Sequence, residues 1–245
     1  MHEITQAIIT AGGLGTRLRP LTEKVPKAMI PFGDEPLLRL NIEQFKKYGV
    51  REFFLTLQYL PEVITDYFGD GSKFGVRMNY FIETEPLGSA GGTKIFSDAL
   101  GDAFFMIYGD IFSLVDYGRM AEYFRKLGDP IGVERVGLLG YRPDIDLAEL
   151  DESMKFVKIH PKPHEALVAD IKKLYSMRGI FILNKKILDY IPENGQYEVD
   201  SQLLPGVVAE GENFYGYECD EYSKGIDTME KYTEVQDYLK SKNLI

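Results

Sequence analysis

The run Ala7-Ile8-Ile9, followed after Thr10 by Ala11-Gly12-Gly13-Leu14-Gly15-Thr16-Arg17, constrains the fold more than any other stretch of the chain. The apolar residues read as a buried first strand. Three glycines in four positions then let the backbone turn sharply and present amides that a Cβ would block. Two arginines and two lysines fall between residues 17 and 27, against the single acid Glu23. A glycine loop with cations at the end of a first strand is a design for holding a polyphosphate. It belongs in an α/β sheet, where ligands collect at the carboxyl ends of the strands.

Two common glycine loops do not fit. The phosphate loop of nucleotide hydrolases needs Gly-Lys followed by Ser or Thr, and no such string occurs. The dinucleotide fingerprint of NAD-dependent oxidoreductases needs a third glycine at 18, where Leu18 stands, although Asp34 and Glu35 lie where a ribose-binding acid is expected. The whole string GGLGTRLRPLT with its trailing PKAM, residues 12–29, resembles the signature of the sugar-1-phosphate nucleotidyltransferases. The resemblance implies a Rossmann-like, mostly parallel sheet flanked by helices, of the nucleotide-diphospho-sugar transferase type. It also implies Mg²⁺ as cofactor, with a nucleoside triphosphate and a sugar 1-phosphate as substrates.

Composition narrows the surroundings of that loop. A hydrophobic fraction of 44% and an aromatic fraction of 13% supply a packed core for 245 residues. A formal charge of −10 excludes a general nucleic-acid or anionic-membrane surface, so the cations at 17–27 are local. Cys219 is the only cysteine, which rules out an intramolecular disulfide and a thiolate metal cluster. His2, His160 and His164 are too scattered for a zinc site. No signal-peptide pattern opens the chain and no apolar run approaches a membrane span, so a cytoplasmic protein without membrane partners is expected.

Strand-like and helical patterns alternate through the first half. Residues 53–57, 78–82 and 104–108 are short, apolar and rich in β-formers. Leu38, Ile42 and Phe45 have helical spacing, a helix can start at Pro61, and Tyr117, Met120, Ala121, Phe124 and Leu127 form an amphipathic stripe. In the second half, 136–139, 156–159 and 179–183 read as strands, with turns at 143 and 161–163. Helices follow near 199–209 and over 228–241. No repeat or linker divides the chain. The expectation is one domain over 1–245, its N-terminal half for the nucleotide and its C-terminal half for the sugar phosphate.

The resemblance assigns roles residue by residue. Ala11, Gly12, Gly13, Gly15, Thr16 and Arg17 would bind the triphosphate, with Arg17 on the leaving pyrophosphate and Lys27 bridging the α-phosphate and the sugar phosphate. Glu83-Thr84-Glu85-Pro86-Leu87-Gly88-Ser89-Ala90-Gly91 resembles the family's second motif, so Glu83, Pro86, Gly88 and Ser89 join the nucleotide site. Gly88 would let the base approach, and a carboxylate at 83 can accept from N1–H and the 2-amino group of guanine. Tyr108-Gly109-Asp110 resembles Asn-Gly-Asp and makes Asp110 a catalytic metal ligand.

Later motifs depart from the pattern. In Lys224-Gly225-Ile226-Asp227-Thr228-Met229-Glu230 the carboxylate stands at 227, where the family more often places it two residues earlier. Asp227 is read as the second metal ligand, or as a helix N-cap with Glu230 completing a capping box. His160-Pro161-Lys162-Pro163 resembles Glu-Lys-Pro with the acid lost, and Ile145-Asp146 stands in place of Tyr-Gly. Lys162 and Glu198 are the expected sugar-phosphate contacts. Glu83 favours GTP with mannose or heptose 1-phosphate. Ile-Asp-Thr at 226–228 favours a glucose-1-phosphate cytidylyltransferase-like enzyme. A catalytically inactive, nucleotide-sugar-binding regulatory subunit is disfavoured by the intact Arg17, Lys27 and Asp110. A homo-oligomer is compatible with all of these readings.

Overall fold

The computed structural model describes residues 3–139, 145–163 and 174–245. The expected turn at 143 lies outside them. In chain order the elements are β1 (Gln6–Thr10), β2 (Pro31–Phe32), β3 (Glu35–Pro36), α1 (Leu37–Lys46), β4 (Glu52–Leu57), α2 (Pro61–Phe68), β5 (Arg77–Ile82) and α3 (Gly88–Lys94). They continue with β6 (Ala103–Tyr108), β7 (Ile111–Ser113), α4 (Tyr117–Lys126), β8 (Gly132–Leu139), β9 (Leu147–Leu150), β10 (Phe156–His160) and β11 (Leu174–Asn184). The last are α5 (Leu204–Ala209), β12 (Phe214–Glu218), β13 (Ser223–Gly225) and α6 (Met229–Ser241). The α/β class expected of the sequence is the class the chain adopts.

The chain packs as two compact units, and neither is a contiguous stretch of sequence. The first comprises 1–86, 107–117 and 221–245. Its main ladder is parallel: β1 pairs with β4 and β4 with β5, with Ala7 opposite Phe53 and Leu57 opposite Ile82. Ile8, Ile9, Phe53, Phe54, Leu55 and Leu57 are all buried, the continuous apolar runs expected of a parallel sheet covered on both faces. Helix α2 starts at Pro61, whose fixed φ and missing N–H suit a first helical position.

A second apolar cluster in this unit holds Leu18, Ile30, Phe32, Leu37, Phe112, Ile226, Val235 and Leu239. It joins the glycine loop to the end of the chain. Leu18 is fully buried between the exposed Arg17 and Arg19, so burial of one side chain turns its charged neighbours outward. Strand β13 pairs antiparallel with β7 and delivers Ile226 to the cluster.

The second unit comprises 87–106 and 118–220. Here β12 runs parallel to β8, while the β8–β11, β11–β9 and β9–β10 pairs are antiparallel. Met120, Ala121 and Phe124 of α4 are buried, as the helical stripe required. Residues 199–203 form a π-helical turn that leads into α5. No helix among the described residues is long and apolar enough to cross a membrane.

Ile226 is fully buried and carries the chain from β13 to Asp227. Truncation to alanine at such a site costs about 3 kcal/mol, the removed methyl groups plus the cavity they leave. Ile226→Ala is therefore expected to lower the unfolding free energy by that amount in a urea titration, with an unchanged slope.

Candidate active site

The loop after β1 is tied down at both ends. Ala11 donates its N–H to the Thr56 carbonyl at 3.0 Å, extending the β1–β4 ladder by a residue. Gly15 adopts the left-handed conformation, φ 60°, and a Cβ there would meet Thr22 Cγ2 at 2.9 Å. Thr22, fully buried, donates its hydroxyl to the Gly15 carbonyl at 2.7 Å, and the same carbonyl accepts from the Leu18 N–H at 2.9 Å. Thr16–Leu18 then form one 3-10 turn. Gly15 alone accounts for the sharp turn. Gly12 and Gly13 have ordinary φ, and a Cβ on Gly13 would meet no atom within 4 Å. A Cβ on Gly12 would rest in ordinary contact with Gln58 Cβ at 3.6 Å, so the open space beside the loop lies at Gly13.

Asp110 is brought to this loop by Gly109. The Gly109 N–H donates to the Thr10 carbonyl at 2.8 Å, and a Cβ at 109 would lie 2.7 Å from that oxygen and 3.3 Å from the Ala11 Cα. Only glycine permits so close an approach to the end of β1. Beyond it the Asp110 carboxylate forms an ion pair with Lys27, whose side chain is 15% exposed. Lys27 opens a 3-10 turn after the extended Pro26, with Ala28 and Met29 buried beneath it.

The Ile226 N–H donates to the Asp110 carbonyl at 2.8 Å, which places Asp227 beside the same group of charges. Asp227 Oδ2 lies 3.3 Å from Arg17, and its Oδ1 lies 2.7 Å from Lys231. Burial works to raise its carboxyl, but the hydrogen bond and charge of Lys231, then the charges of Arg17 and Lys27, hold it below the ordinary aspartate value. The alternative reading of Asp227 as a helix cap is corrected. Thr228 is the N-cap of α6, its hydroxyl accepting from the Lys231 N–H at 3.3 Å. Asp227 is thereby released to face the cations.

Glu83 follows β5 directly and is half-buried. Its N–H donates to the Leu57 carbonyl at 2.7 Å and lengthens the β4–β5 ladder. Pro86 is exposed.

In the second unit, the Gly88 motif and the acidic element at 197–200 lock together. Gly88 has φ 74°, and a Cβ there would lie 2.5 Å from the Tyr197 carbonyl oxygen. That oxygen accepts from the N–H groups of Ala90 and Gly91, at 2.9 and 3.1 Å. Glu198 Oε2 accepts from the Ser89 N–H at 3.0 Å and the Ser89 hydroxyl at 2.7 Å. Burial raises the Glu198 carboxyl, and these bonds with that of Gln196 overcome it, leaving the group below its usual range. The glycine at 88, expected to admit a base, is required here by a backbone carbonyl of the same unit.

Lys162 meets Asp146. The carboxylate accepts from the Lys162 N–H at 3.0 Å and pairs with its ammonium at 3.0 Å. Asp146 is buried while the Lys162 side chain is 54% exposed, so the acid fixes the stem of a lysine that reaches outward. Asp146, Thr22 and Lys231 hold candidate site residues in place through contacts that motif matching does not show. The spacing of Asp227 and Lys231, four apart at a helix start, is the one sequence signal among them.

Comparisons place these features among known proteins. Residues 6–241 match the family model described as nucleotidyl transferase. A probable mannose-1-phosphate guanylyltransferase 1 from Oryza sativa subsp. japonica is 33% identical, aligned over 84% of this chain and 56% of its own length. A UTP–glucose-1-phosphate uridylyltransferase from Synechocystis sp. is 30% identical, over 88% of this chain and 58% of its own. The chain thus spans little more than half the length of these relatives. The crystal structure of HddC from Yersinia pseudotuberculosis superposes with a TM-score of 0.79 at 23% identity, covering 96% of this chain and 100% of that one. Its complex with GMP-PN superposes with a TM-score of 0.77 at 22% identity, with the same coverage.

Two substitutions test the second unit. Gly88→Ala forces a side chain onto a backbone carbonyl at a left-handed position, and a loss of about 2 kcal/mol in unfolding free energy is expected. Glu198 has a lowered folded pKa, so its contribution to stability is complete above the unfolded value of 4.5 and is lost as pH falls through the folded value. Thermal melts from neutral to acid pH should show a smaller decline for Glu198→Gln than for the wild type across that window.

Proposed function

The chain belongs to the nucleotidyl transferase family, and from that premise we propose that it transfers a nucleotidyl group from a nucleoside triphosphate to a sugar 1-phosphate, releasing pyrophosphate. The observation that carries this reading is the grouping of Lys27 with Asp110 and of Arg17 with Asp227 at the open side of the glycine loop. A phosphate oxygen of the sugar 1-phosphate attacks the α-phosphorus. The bond from that phosphorus to the α–β bridging oxygen breaks, and its electron pair leaves with pyrophosphate. The attacking oxygen is already anionic, so no base has to remove a proton. What remains is alignment and neutralisation of charge.

The amides of residues 13–16 cradle the triphosphate, Arg17 holds the departing pyrophosphate with its forked donors, and Lys27 bridges the α-phosphate and the incoming phosphate. Asp110 and Asp227 suit Mg²⁺, which takes one or two carboxylates and completes its shell with phosphates and water. Bound there, the ion would screen the charge that develops on the phosphates. No group of three or more His, Cys, Asp or Glu among the described residues competes with that pair as a metal site. Lys162 and Glu198 serve the sugar phosphate.

GTP with mannose or heptose 1-phosphate is the favoured pair, read from a carboxylate at 83 and supported by the guanylyltransferase relative and the GMP-PN complex of HddC. A cytidylyltransferase is the second reading, favoured by the position of the charged carboxylate at 227 rather than 225. We assign the activity to the cytoplasm, where nucleoside triphosphates are abundant.

Pyrophosphate release with GTP, CTP, UTP, dTTP and ATP, each offered with mannose, glucose and heptose 1-phosphates in Mg²⁺, tests the proposal. Release with GTP is the expected result, and release with CTP alone would transfer the assignment to the second reading. With the productive pair, Arg17→Ala should lower kcat by about 10²–10³-fold, the loss typical of a group that stabilises developing charge.

A further inference from the structure

Glu134 stands on β8, fully buried, in a protein whose expected chemistry makes no use of it. Its Oε1 accepts two backbone hydrogen bonds, from Arg178 at 2.9 Å and from Gly179 at 3.0 Å. Its Oε2 is shut off from solvent and has no hydrogen-bond partner among the described residues. Burial, then the charge of Asp200, push the carboxyl well above the ordinary glutamate value. A leucine would fill this place without the desolvation cost, so the acid needs a reason.

The reason lies in the register of β11. Met177 opposes Val136 and Phe181 opposes Glu134, so Arg178, Gly179 and Ile180 stand against Arg135 alone. This is a bulge, with Gly179 left-handed at φ 64°, and the N–H groups it removes from the ladder are the two that Glu134 accepts. The preceding residue, Met177, donates its N–H to the Asp146 carbonyl at 3.0 Å. The Asp146 carboxylate holds both the N–H and the ammonium of Lys162. A continuous run of short contacts thus leads from Glu134 through the bulge and Asp146 to Lys162, all within the second unit.

We propose that Glu134 is a positioning residue for Lys162, fixing the β11 bulge from which Asp146 and its lysine are hung; this rests on the reading of Lys162 as the sugar-phosphate anchor. Glu134→Gln keeps an acceptor for the two amides, while Glu134→Leu removes it. The test measures KM for mannose 1-phosphate and for GTP, or for whichever pair turns over, with amide hydrogen exchange across 177–179 and at Lys162. Glu134→Leu is expected to raise KM for the sugar phosphate about tenfold, leave KM for the nucleotide unchanged and speed exchange at those amides. Glu134→Gln is expected to restore all three. Adding Lys162→Ala to Glu134→Leu should cost less than the sum of the single effects.

Equal changes in both KM values, or none, with Lys162→Ala still selective for the sugar phosphate, would overturn the role of Glu134. An unchanged sugar-phosphate KM in Lys162→Ala would instead overturn the reading of Lys162, and the inference with it. Should Glu134→Leu fail to fold, Glu134→Asp, which shortens the reach to the amides, carries the same comparison. A selective rise there supports the proposal, and an unchanged KM overturns it.

Discussion

The contact between Gly109 and the end of β1 is the constraint on which the first unit's site depends. The N–H of Gly109 bonds the Thr10 carbonyl, and its missing side chain lets two backbones meet where a Cβ would lie 2.7 Å from that oxygen. Asp110 therefore emerges directly against the glycine loop and meets Lys27. The Asp110 carbonyl in turn receives the Ile226 N–H, so the end of the chain is fastened to the same spot and Asp227 comes opposite Arg17. Three segments far apart in sequence become one cluster of charges through backbone contacts. Side chains contribute the charges; the backbone fixes where they meet.

The charges themselves are held loosely enough to be exchanged. Arg17 is 69% exposed and lies 3.3 Å from Asp227, a contact of the surface class worth no more than about 1 kcal/mol. On the proposed reading, a triphosphate, with several anionic oxygens and a forked fit to guanidinium, would displace such a pairing. Asp227 does not lose all compensation when Arg17 leaves, because Lys231 remains bonded to its other oxygen. Lys27 and Asp110 are more enclosed and form the steadier pair. In a chain of net charge −10, this local group of cations also gives an incoming polyanion a favourable place to land.

Much of this was legible in the sequence, and the exceptions have physical causes. Helices α2 and α4 announced themselves through Pro61 and through the stripe at 117, 120, 121 and 124. Strand β11 is longer than the sequence suggested, since Gly179 reads as a breaker when it is a bulge inside a continuing strand. Strands β2, β3, β7 and β13 span two or three residues each, too few for a periodic pattern. Phe214–Glu218 buries only two residues, Phe214 and Gly216, too brief an alternation to mark a strand by itself. In the candidate site, motif spacing pointed to Lys27, Asp110 and Asp227 but not to their contacts with one another and with Arg17 and Lys231. Asp227 and Thr228 are both good N-caps, and only the turn of the backbone decides which one serves. Glu134, an acid inside an apolar strand, gave no sign of whether it faced water or the core.

The two units use carboxylates in different ways, and the difference bears on what each can do. In the first, Asp110 and Asp227 face lysine and arginine side chains, partners that can swing to a phosphate and back. In the second, Glu198, Asp146 and Glu134 face backbone amides of Ser89, Lys162, Arg178 and Gly179. A hydrogen bond from a backbone N–H to a charged carboxylate such as Glu198 is worth about 1.5–3 kcal/mol, and its donor cannot rotate away. Such bonds set the course of irregular chain where no ladder is available, at the start of α3, after β10 and across the β11 bulge. The first arrangement is suited to a reaction in which charge is redistributed, the second to holding a rigid, uncharged shape. On the proposed reading, the first suits a polyphosphate and the second a sugar distinguished by the placement of its hydroxyl groups.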